Sequence, residues 1–407
     1  MRSAQTIFAA TLFLSSAPLA PAQWRTLHTG KPDSNLRAVS ATYFTDDEGV
    51  SRPAIWFGGS NGVIFRCTEE GRTCANMHVP DGDALDFRGI AAFDAAFAYA
   101  MSVGPGAKSR IYKTTDTEGT WQLQFIGSRK EAFLDAMVCL SKTHCFVLGD
   151  PVDGKFLLLS TEDGEHWKEL PRDKMPAALP SEGAFAASNS SLCIDGGNIY
   201  FGTGGAAKAR IFHSDDFGLT WTVTDTPIAA GNASSGIFSL DCKAGRVLLA
   251  GGDYKDPSRA FDSVAYLPES GGTWQLSEQP PGGFRSGLVN VGGGTVIAVG
   301  PSGEDISRDL GVTWQHSDSL NLNAVTFLDI NNIWAVGPNG TIARFVNQKK
   351  HLVRNGPTAI DSDARRTYRL PDIQSLSTLP GPLLSDSFSN LLARNSNAGR
   401  QHGMHLN

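Results

Sequence analysis

An eight-residue motif, Ser/Thr-x-Asp-x-Gly-x-Thr-Trp, recurs along this chain and constrains its fold more than any other feature. Complete copies occupy residues 214–221 and 307–314, and degenerate copies occupy 67–74, 114–121, 160–167 and 267–274. Successive copies end 40 to 54 residues apart. A repeat of that length, flanked by short apolar runs, is typical of a ring or stack of small β-sheets.

The residue types in the motif predict a hairpin turn between two strands. The Asp at the third position can accept hydrogen bonds from the backbone of the turn, and the Gly at the fifth position tolerates a positive φ. The final Trp begins the next strand and supplies a large apolar side chain that packs back against the turn. In the copy at 160–167, Glu162 occupies the Asp position. We assign structural rather than catalytic roles to Asp116, Asp216, Gly218, Trp221, Asp309, Gly311 and Trp314.

Three apolar runs separated by glycine turns accompany each motif, as at 55–66 and 333–343. Four short strands joined by turns form one blade of a β-propeller. Six units contain the motif, and a seventh, over 322–345, ends after three strands. Because 23–27 reads like the missing outer strand, the sequence predicts an all-β, seven-bladed β-propeller over 23–345. Its ring would be closed by the N-terminal strand, which removes open sheet edges.

The two ends of the chain differ in composition from the repeats. Residues 1–22 combine Arg2, an apolar core and the string Ala20-Pro21-Ala22, which predicts a secretory signal peptide. Its apolar core is too short to span a bilayer. Residues 346–407 are polar and lack periodicity, which predicts a disordered tail. We therefore expect an exported protein, periplasmic or extracellular, with no transmembrane segment.

Export makes the six cysteines candidates for disulfides. Their places in the predicted blades favour three pairs: Cys67 with Cys74, Cys139 with Cys145, and Cys193 with Cys242. None has the CxxC spacing of a zinc or redox site, and the nine histidines show no paired metal spacing. Glycine-rich strings at 104–109 and 202–207 run into predicted strands, whereas phosphate binding by such loops requires a following helix. We expect neither a metal nor a cofactor.

The face opposite the motif turns is the candidate binding surface. Its inner strands begin with Arg37, Arg88 and Arg285, beside Asp135 and Asn323. Arginines around a concave mouth attract anionic ligands or acidic protein segments. Alternatively, these arginines pair with Asp135, Asp150 and Asp253 and hold the rim together. The formal net charge of −6 argues against nucleic-acid binding.

The motif is identified as the Asp-box of the bacterial neuraminidase repeat. The strings at 57–66 and 333–342 resemble those of photosystem II stability/assembly factor-like propellers. The resemblance covers nearly all of 23–345, and it implies the propeller fold and an assembly- or stability-factor type of role. The same repeat also serves sialidases, xyloglucan-degrading hydrolases and sorting receptors, so the fold does not fix the function.

Two functions from different classes remain open at this stage. The favoured one is an exported, monomeric, non-catalytic scaffold that binds a protein or a glycan or other anionic ligand. The predicted binding residues are Arg37, Arg88, Asp135, Asp150, Arg285 and Asn323. The alternative is a glycoside hydrolase, which needs two carboxylates flanking the scissile bond. Its candidates are Asp135, Asp150, Glu182 and Asp253, whereas the sialidase arginine motif is absent around Arg52.

Overall fold

A computed structural model of the protein describes residues 23–28, 31–68, 71–243, 245–268 and 272–346. These residues form 28 strands in seven four-stranded antiparallel sheets. The inner strands of successive sheets lie side by side, and the last contacts the first. The fold is a seven-bladed β-propeller, as the repeat predicts. The signal peptide predicted at 1–22 and nearly all of the tail predicted at 346–407 lie outside the described residues.

The strands follow one another in chain order from the centre of each blade to its edge. Strand β1 spans Gln23–His28. The strands of the first three blades are as follows: blade 1 contains β2 (Leu36–Thr45), β3 (Ser51–Gly59), β4 (Ile64–Thr68) and β5 (Thr73–Asn76); blade 2 contains β6 (Asp86–Ala92), β7 (Phe97–Val103), β8 (Arg110–Thr115) and β9 (Trp121–Ile126); blade 3 contains β10 (Leu134–Cys139), β11 (Cys145–Val152), β12 (Lys155–Thr161) and β13 (Lys168–Glu169).

The remaining four blades repeat the arrangement. Their strands are as follows: blade 4 contains β14 (Leu192–Asp195), β15 (Asn198–Gly202), β16 (Arg210–Ser214) and β17 (Thr222–Asp225); blade 5 contains β18 (Ser235–Asp241), β19 (Leu248–Asp253), β20 (Val264–Tyr266) and β21 (Gln275–Leu276); blade 6 contains β22 (Gly287–Gly292), β23 (Thr295–Gly300), β24 (Gly303–Ser307) and β25 (Gln315–Asp318); blade 7 contains β26 (Ala324–Asp329), β27 (Asn332–Val336) and β28 (Thr341–Val346). A short 3-10 turn spans Gly106–Lys108, and no helix in the described ranges is long and apolar enough to cross a membrane.

The N-terminal strand closes the ring, as the truncated seventh repeat predicts. Strand β1 pairs antiparallel with β28 and supplies the fourth strand of blade 7. Trp24 is buried beside Ile297 of blade 6, and its indole N–H donates to Glu304 of that blade. The N-terminal strand therefore provides both the missing edge strand and the missing tryptophan.

The tryptophans that end the motifs pack between blades. Trp121 of blade 2 meets Trp56 of blade 1 edge to face, with ring centroids 6.2 Å apart. Trp221 of blade 4 lies in a buried cluster with Phe156 of blade 3. These two motifs therefore join their own blades to the preceding ones through apolar burial, the main stabilising contribution in such a core.

The motif turns have the predicted hydrogen bonds. In the copy at 214–221, the Asp216 carboxylate accepts hydrogen bonds from the backbone N–H groups of Leu219 and Thr220, at 3.0 and 2.8 Å. Gly218 has a φ of +86°. The residue before it, Phe217, also has a positive φ, +57°, which the motif did not predict. Two successive left-handed residues turn the chain tightly between β16 and β17.

The motif in blade 3 is one residue shorter than the repeat pattern suggests. Asp163, not Glu162, accepts from the backbone N–H groups of Glu165 and His166, both at 2.8 Å. Glu162 instead pairs with Lys168. The assignment of Glu162 as the capping carboxylate is therefore corrected: the shorter turn moves the capping position by one residue.

Three disulfides join neighbouring strands or neighbouring blades. Cys67–Cys74 joins β4 to the neighbouring β5, and Cys139–Cys145 joins β10 to β11. Cys193–Cys242 links blade 4 to blade 5. These are the pairs that the blade positions favour.

Candidate functional site

Six of the seven blades share a comparable position near, or directly before, the start of the inner strand. In blades 1, 2, 3 and 5, a β-bulge near the start of the inner strand leaves one residue without a cross-strand partner. Bulges redirect a side chain out of the regular alternation of a strand. The residues at this position, here called the channel position, are Arg37, Arg88, Asp135 and Phe238. Ser286 and Asn323 occupy the matching place in blades 6 and 7, directly before the residues that pair with β23 and β27.

Arg285 does not lie at the channel position, so its assignment to the mouth is corrected. It precedes Ser286, and its side chain is completely buried. The guanidinium pairs with Asp305 of β24, with an Nε–Oδ2 distance of 2.7 Å, and also donates to the Ser302 hydroxyl at 2.9 Å. The shift of one residue relative to the channel position directs the side chain into the blade.

A cavity of about 490 Å³ opens at the channel mouth. Its wall combines two arginines, polar amide and hydroxyl groups and four aromatic side chains, and none of the described residues that line it is acidic. The wall residues central to the site are Asn35, Arg37, Arg88, Phe185, Phe238, Tyr254, Phe284, Ser286 and Asn323. Asn323 donates to the backbone carbonyl of Leu36 at 2.8 Å and thereby joins blade 7 to blade 1 at the rim.

The two channel arginines give the cavity a positive charge. Burial and, to a smaller extent, the neighbouring Arg88 guanidinium lower the pKa of Arg37 to about 10, while Asp86 opposes the change. Arg37 stays charged at neutral pH. Arg88 pairs with Asp86, with an Nε–Oδ2 distance of 2.8 Å. Two cations therefore share one carboxylate, and an anionic group in the cavity would be stabilised by the remaining charge.

A segment of the chain that sequence analysis did not single out crosses the channel. The connection between blades 3 and 4 spans residues 170–191, and its part 183–190, here the crossing segment, lies against several other blades. Arg37 and Arg88 donate to the backbone carbonyls of Ala187 and Ala186 at 3.3 and 3.1 Å. On the opposite side, Ser188 donates to the Ser286 carbonyl at 2.6 Å.

Asn189 fixes the crossing segment to the wall. Its side-chain carbonyl accepts from the Met137 N–H at 2.8 Å, and its amide donates to the Met137 carbonyl at 3.1 Å. A Cβ at Gly89 would lie 2.9 Å from the side-chain oxygen of Asn189, so a larger residue there would require the Asn189 side chain to shift. The length of the 170–191 connection and its Ala/Ser-rich end before the short β14 are the sequence signals that could have revealed the segment.

Asp135 and Asp150 form a buried acidic pair beneath the crossing segment. Burial raises the pKa of Asp135 well above its usual range, and Asp150 raises it further, whereas Arg88 lowers it. Burial also raises the pKa of Asp150 to about 6, although the backbone N–H of Ala184 donates to it at 3.0 Å. Asp135 is 1% exposed and Asp150 is partly exposed, and neither is among the described residues that line the cavity.

The other two hydrolase candidates are held by neighbouring protein groups. Glu182 is buried and pairs with Arg210, with an Nε–Oε1 distance of 2.8 Å, and it also accepts from the Thr203 hydroxyl at 2.6 Å. Asp253 accepts from the Asn232 amide and the Lys255 N–H, both at 2.9 Å. Arginine–carboxylate pairs do support this face, but with partners other than those predicted. Across the described part of the chain, no three His, Cys, Asp or Glu side chains form a group suited to a metal ion.

Comparison with known proteins gives a likeness of fold alone. No family model and no curated protein matches the chain. Among solved structures, "YCF48 bound to D1 peptide" is 15% identical with a TM-score of 0.55, covering 79% of this chain and 96% of that one. YCF48 from Cyanidioschyzon merolae is also 15% identical, with a TM-score of 0.57 and coverage of 80% and 99%. The WD40 propeller domain of Doa1 is 10% identical, with a TM-score of 0.52 and coverage of 81% and 98%.

Proposed function

We propose that this protein is an exported, non-catalytic scaffold that binds an acidic segment of a partner protein at the channel mouth. The observation that carries the proposal is the cavity wall, which contains Arg37 and Arg88 and no acidic side chain among its described residues. Guanidinium groups bind carboxylates with well-defined geometry. Asn323 and Ser286 add polar groups for a peptide backbone.

The likeness to YCF48 supports a protein partner, since one solved structure of that propeller is of "YCF48 bound to D1 peptide". The sequence strings at 57–66 and 333–342 also resemble those of photosystem II stability/assembly factor-like propellers, and the Asp-box assignment of the motif belongs to the same resemblance. We therefore propose an assembly- or stability-factor type of role for a monomer. In this role, Asp135 and Asp150 support the mouth from beneath rather than contacting the partner.

Export is part of the proposal. Three disulfides are typical of an oxidising compartment, and the leader-like composition of 1–22 agrees with them. The periplasm or the extracellular space is the proposed location.

A charge-matched set of peptides tests the function. The purified protein is titrated with short, end-blocked synthetic peptides that differ only in carrying Asp, Asn or Lys at one position. We expect the Asp peptide to bind most tightly, and its advantage to fall as salt screens the charges. The Arg37→Gln/Arg88→Gln variant should lose that advantage, whereas Arg25→Gln, at an exposed arginine of β1, should keep it. Equal binding of the three peptides to the native protein would rule out acidic recognition.

A further inference from the structure

We propose that the channel mouth contains a second, aromatic subsite, so that the bound segment carries a large apolar side chain directly beside its acidic residue. This inference rests on the proposed function and adds the class of segment recognised. The subsite consists of Phe238, Phe284 and Tyr254, all in the cavity wall. It lies on blades 5 and 6, whereas the arginines lie on blades 1 and 2.

Phe238 is the residue that makes this side of the mouth apolar. It occupies the channel position of blade 5, where the other bulged strands place Arg37, Arg88 and Asp135. Phe185 of the crossing segment stacks on it with ring centroids 3.8 Å apart. Phe284 meets it edge to face at 4.7 Å. Phe238 and Phe284 are 3% and 4% exposed, so the two rings form a buried aromatic base beneath this side of the cavity.

Tyr254 forms the accessible edge of this surface. Its ring lies 6.1 Å from that of Phe238 at an interplanar angle of 81°, and the residue is 47% exposed. A large aromatic side chain that is half exposed at the edge of a cavity has apolar area left to bury. An apolar side chain of a ligand would cover that area and complete the packing.

The subsite is held in place before any ligand binds. The backbone N–H of Phe284 donates to the Pro257 carbonyl at 3.0 Å, and that of Tyr254 donates to the Ser234 carbonyl at 3.2 Å. Asp253 is fixed by Asn232 and by the backbone of Lys255. A preformed surface costs little entropy to occupy, which favours its use in binding.

The two arginines and the aromatic subsite lie on opposite sides of the mouth. This placement determines how far apart the acidic and apolar side chains lie along the ligand. Successive side chains of an extended peptide point in opposite directions. A carboxylate directed at Arg37 and Arg88 therefore directs the next side chain toward the exposed ring of Tyr254. Since the wall residues include two cations and no carboxylate among those described, we infer an acidic residue followed or preceded by an aromatic or large aliphatic one.

The experiment uses four end-blocked peptides with one Gly/Ser frame, containing Asp-Phe, Asn-Phe, Asp-Ser or Asn-Ser, titrated against the intact protein by surface plasmon resonance. We expect the Asp-Phe peptide to bind about tenfold more tightly than Asp-Ser, as suits the burial of one aromatic side chain. Tyr254→Ala should reduce this preference for Phe about fivefold. Phe261→Ala is the matched control, because Phe261 is 63% exposed nearby but does not line the cavity.

The four peptides distinguish failure of the aromatic subsite from failure of the proposed function. If Asp-Phe and Asp-Ser bind equally while both exceed their Asn counterparts, the aromatic subsite is refuted and the acidic site stands. If Phe matters but Asp does not, the proposed function is refuted. Equal losses in Tyr254→Ala and Phe261→Ala would also overturn the inference, because the effect would not be specific to the cavity wall. Binding by none of the four peptides refutes both.

Discussion

Arg88 and Arg285 stand in nearly the same sequence setting, each directly after a phenylalanine at the start of an inner strand, yet they have different roles. The Arg88 side chain is 29% exposed, lines the cavity and pairs with the partly exposed Asp86. The Arg285 side chain is fully buried and pairs with Asp305, which is 1% exposed. The first arginine is partly exposed at the cavity wall, and the second is enclosed within the blade.

The difference comes from register, not from residue type. Arg88 is itself the unpaired residue of a β-bulge, whereas Arg285 comes one residue before the channel position. Because side chains alternate between the two sides of a strand, a shift of one residue exchanges the channel for the interior of the blade. An arginine count on one face is therefore a poor guide to a binding site until the bulges are known.

The largest effect that tests this comparison is expected from Arg285→Met. Removal of one partner leaves Asp305 buried without its cation, which costs about 3–5 kcal/mol of unfolding free energy. Denaturant unfolding measures the loss. Adding Asp305→Leu should restore much of the stability, because the second charge is then removed as well. A loss from Arg285→Met no larger than that from Arg88→Gln would show that the two arginines are equivalent.

Glu304, the neighbour of Asp305 on β24, shows how a buried carboxylate behaves when its partner is an indole. The pKa of Glu304 is raised from an ordinary value of 4.5 to about 7, chiefly by burial. Asp318 and Asp305 also raise it, whereas the Trp24 indole and Ser317 lower it. Because the folded pKa lies above the unfolded one, the stabilising contribution is complete below about pH 4.5 and is lost as the pH rises through 7.

The corresponding prediction concerns Glu304→Gln. Relative to this variant, the native protein should lose about 3 kcal/mol of unfolding free energy between pH 4.5 and 8. Unfolding curves recorded across that range measure the difference, with Glu278→Gln as an exposed control. If the pH dependence is the same in native protein and Glu304→Gln, the buried carboxylate does not titrate in this window.

Arg88→Gln should change stability much less than Arg285→Met. Its ion pair with Asp86 is partly exposed, and such pairs contribute about 1 kcal/mol or less. The same variant should reduce binding of an Asp-containing peptide relative to its Asn counterpart, which Arg285→Met, measured under conditions where it remains folded, should not do. Loss of charge selectivity in both variants would remove the distinction between channel and blade arginines.

The smallest expected effect concerns the capping carboxylate of the blade 3 motif, which lies one residue later than the repeat pattern suggests. Asp163→Ala removes the acceptor of two backbone hydrogen bonds and should lower the melting temperature by roughly 2 °C. Glu162→Ala should leave it unchanged, because that carboxylate only reaches an exposed Lys168. Differential scanning calorimetry of both variants distinguishes the two assignments, and a larger shift for Glu162→Ala would reverse them.

Sequence reasoning was most successful where a feature depends on neighbouring residues. The Asp216 turn needs only five residues and their backbone, so the motif predicts it directly. The closing strand follows from counting the strands in each repeat. The seventh repeat lacks its fourth strand and its tryptophan, and β1 supplies both, with Trp24 as the tryptophan. The Cys67–Cys74 pair follows from the hairpin in which both residues lie.

The candidate site was predicted only in part. Arg37, Arg88 and Asn323 do meet in one cavity, but Arg285 does not, and Phe238 and Tyr254 were not singled out. Glu182 pairs with Arg210 across 28 positions of sequence. The crossing segment contacts blades 1, 2, 3 and 6 through hydrogen bonds that no local pattern encodes.

The seven-bladed ring, its closure by β1 and the turns that join its strands can all be read from the amino-acid sequence, because they depend on residue types at fixed short spacings. Which side chains face the channel depends instead on the folded chain, through bulges that redirect single residues and through a long connection that crosses the mouth. A bulge requires one extra residue relative to a paired strand, and that relation exists only once the two strands are aligned. The chemistry of the channel mouth is therefore a property of the assembled ring.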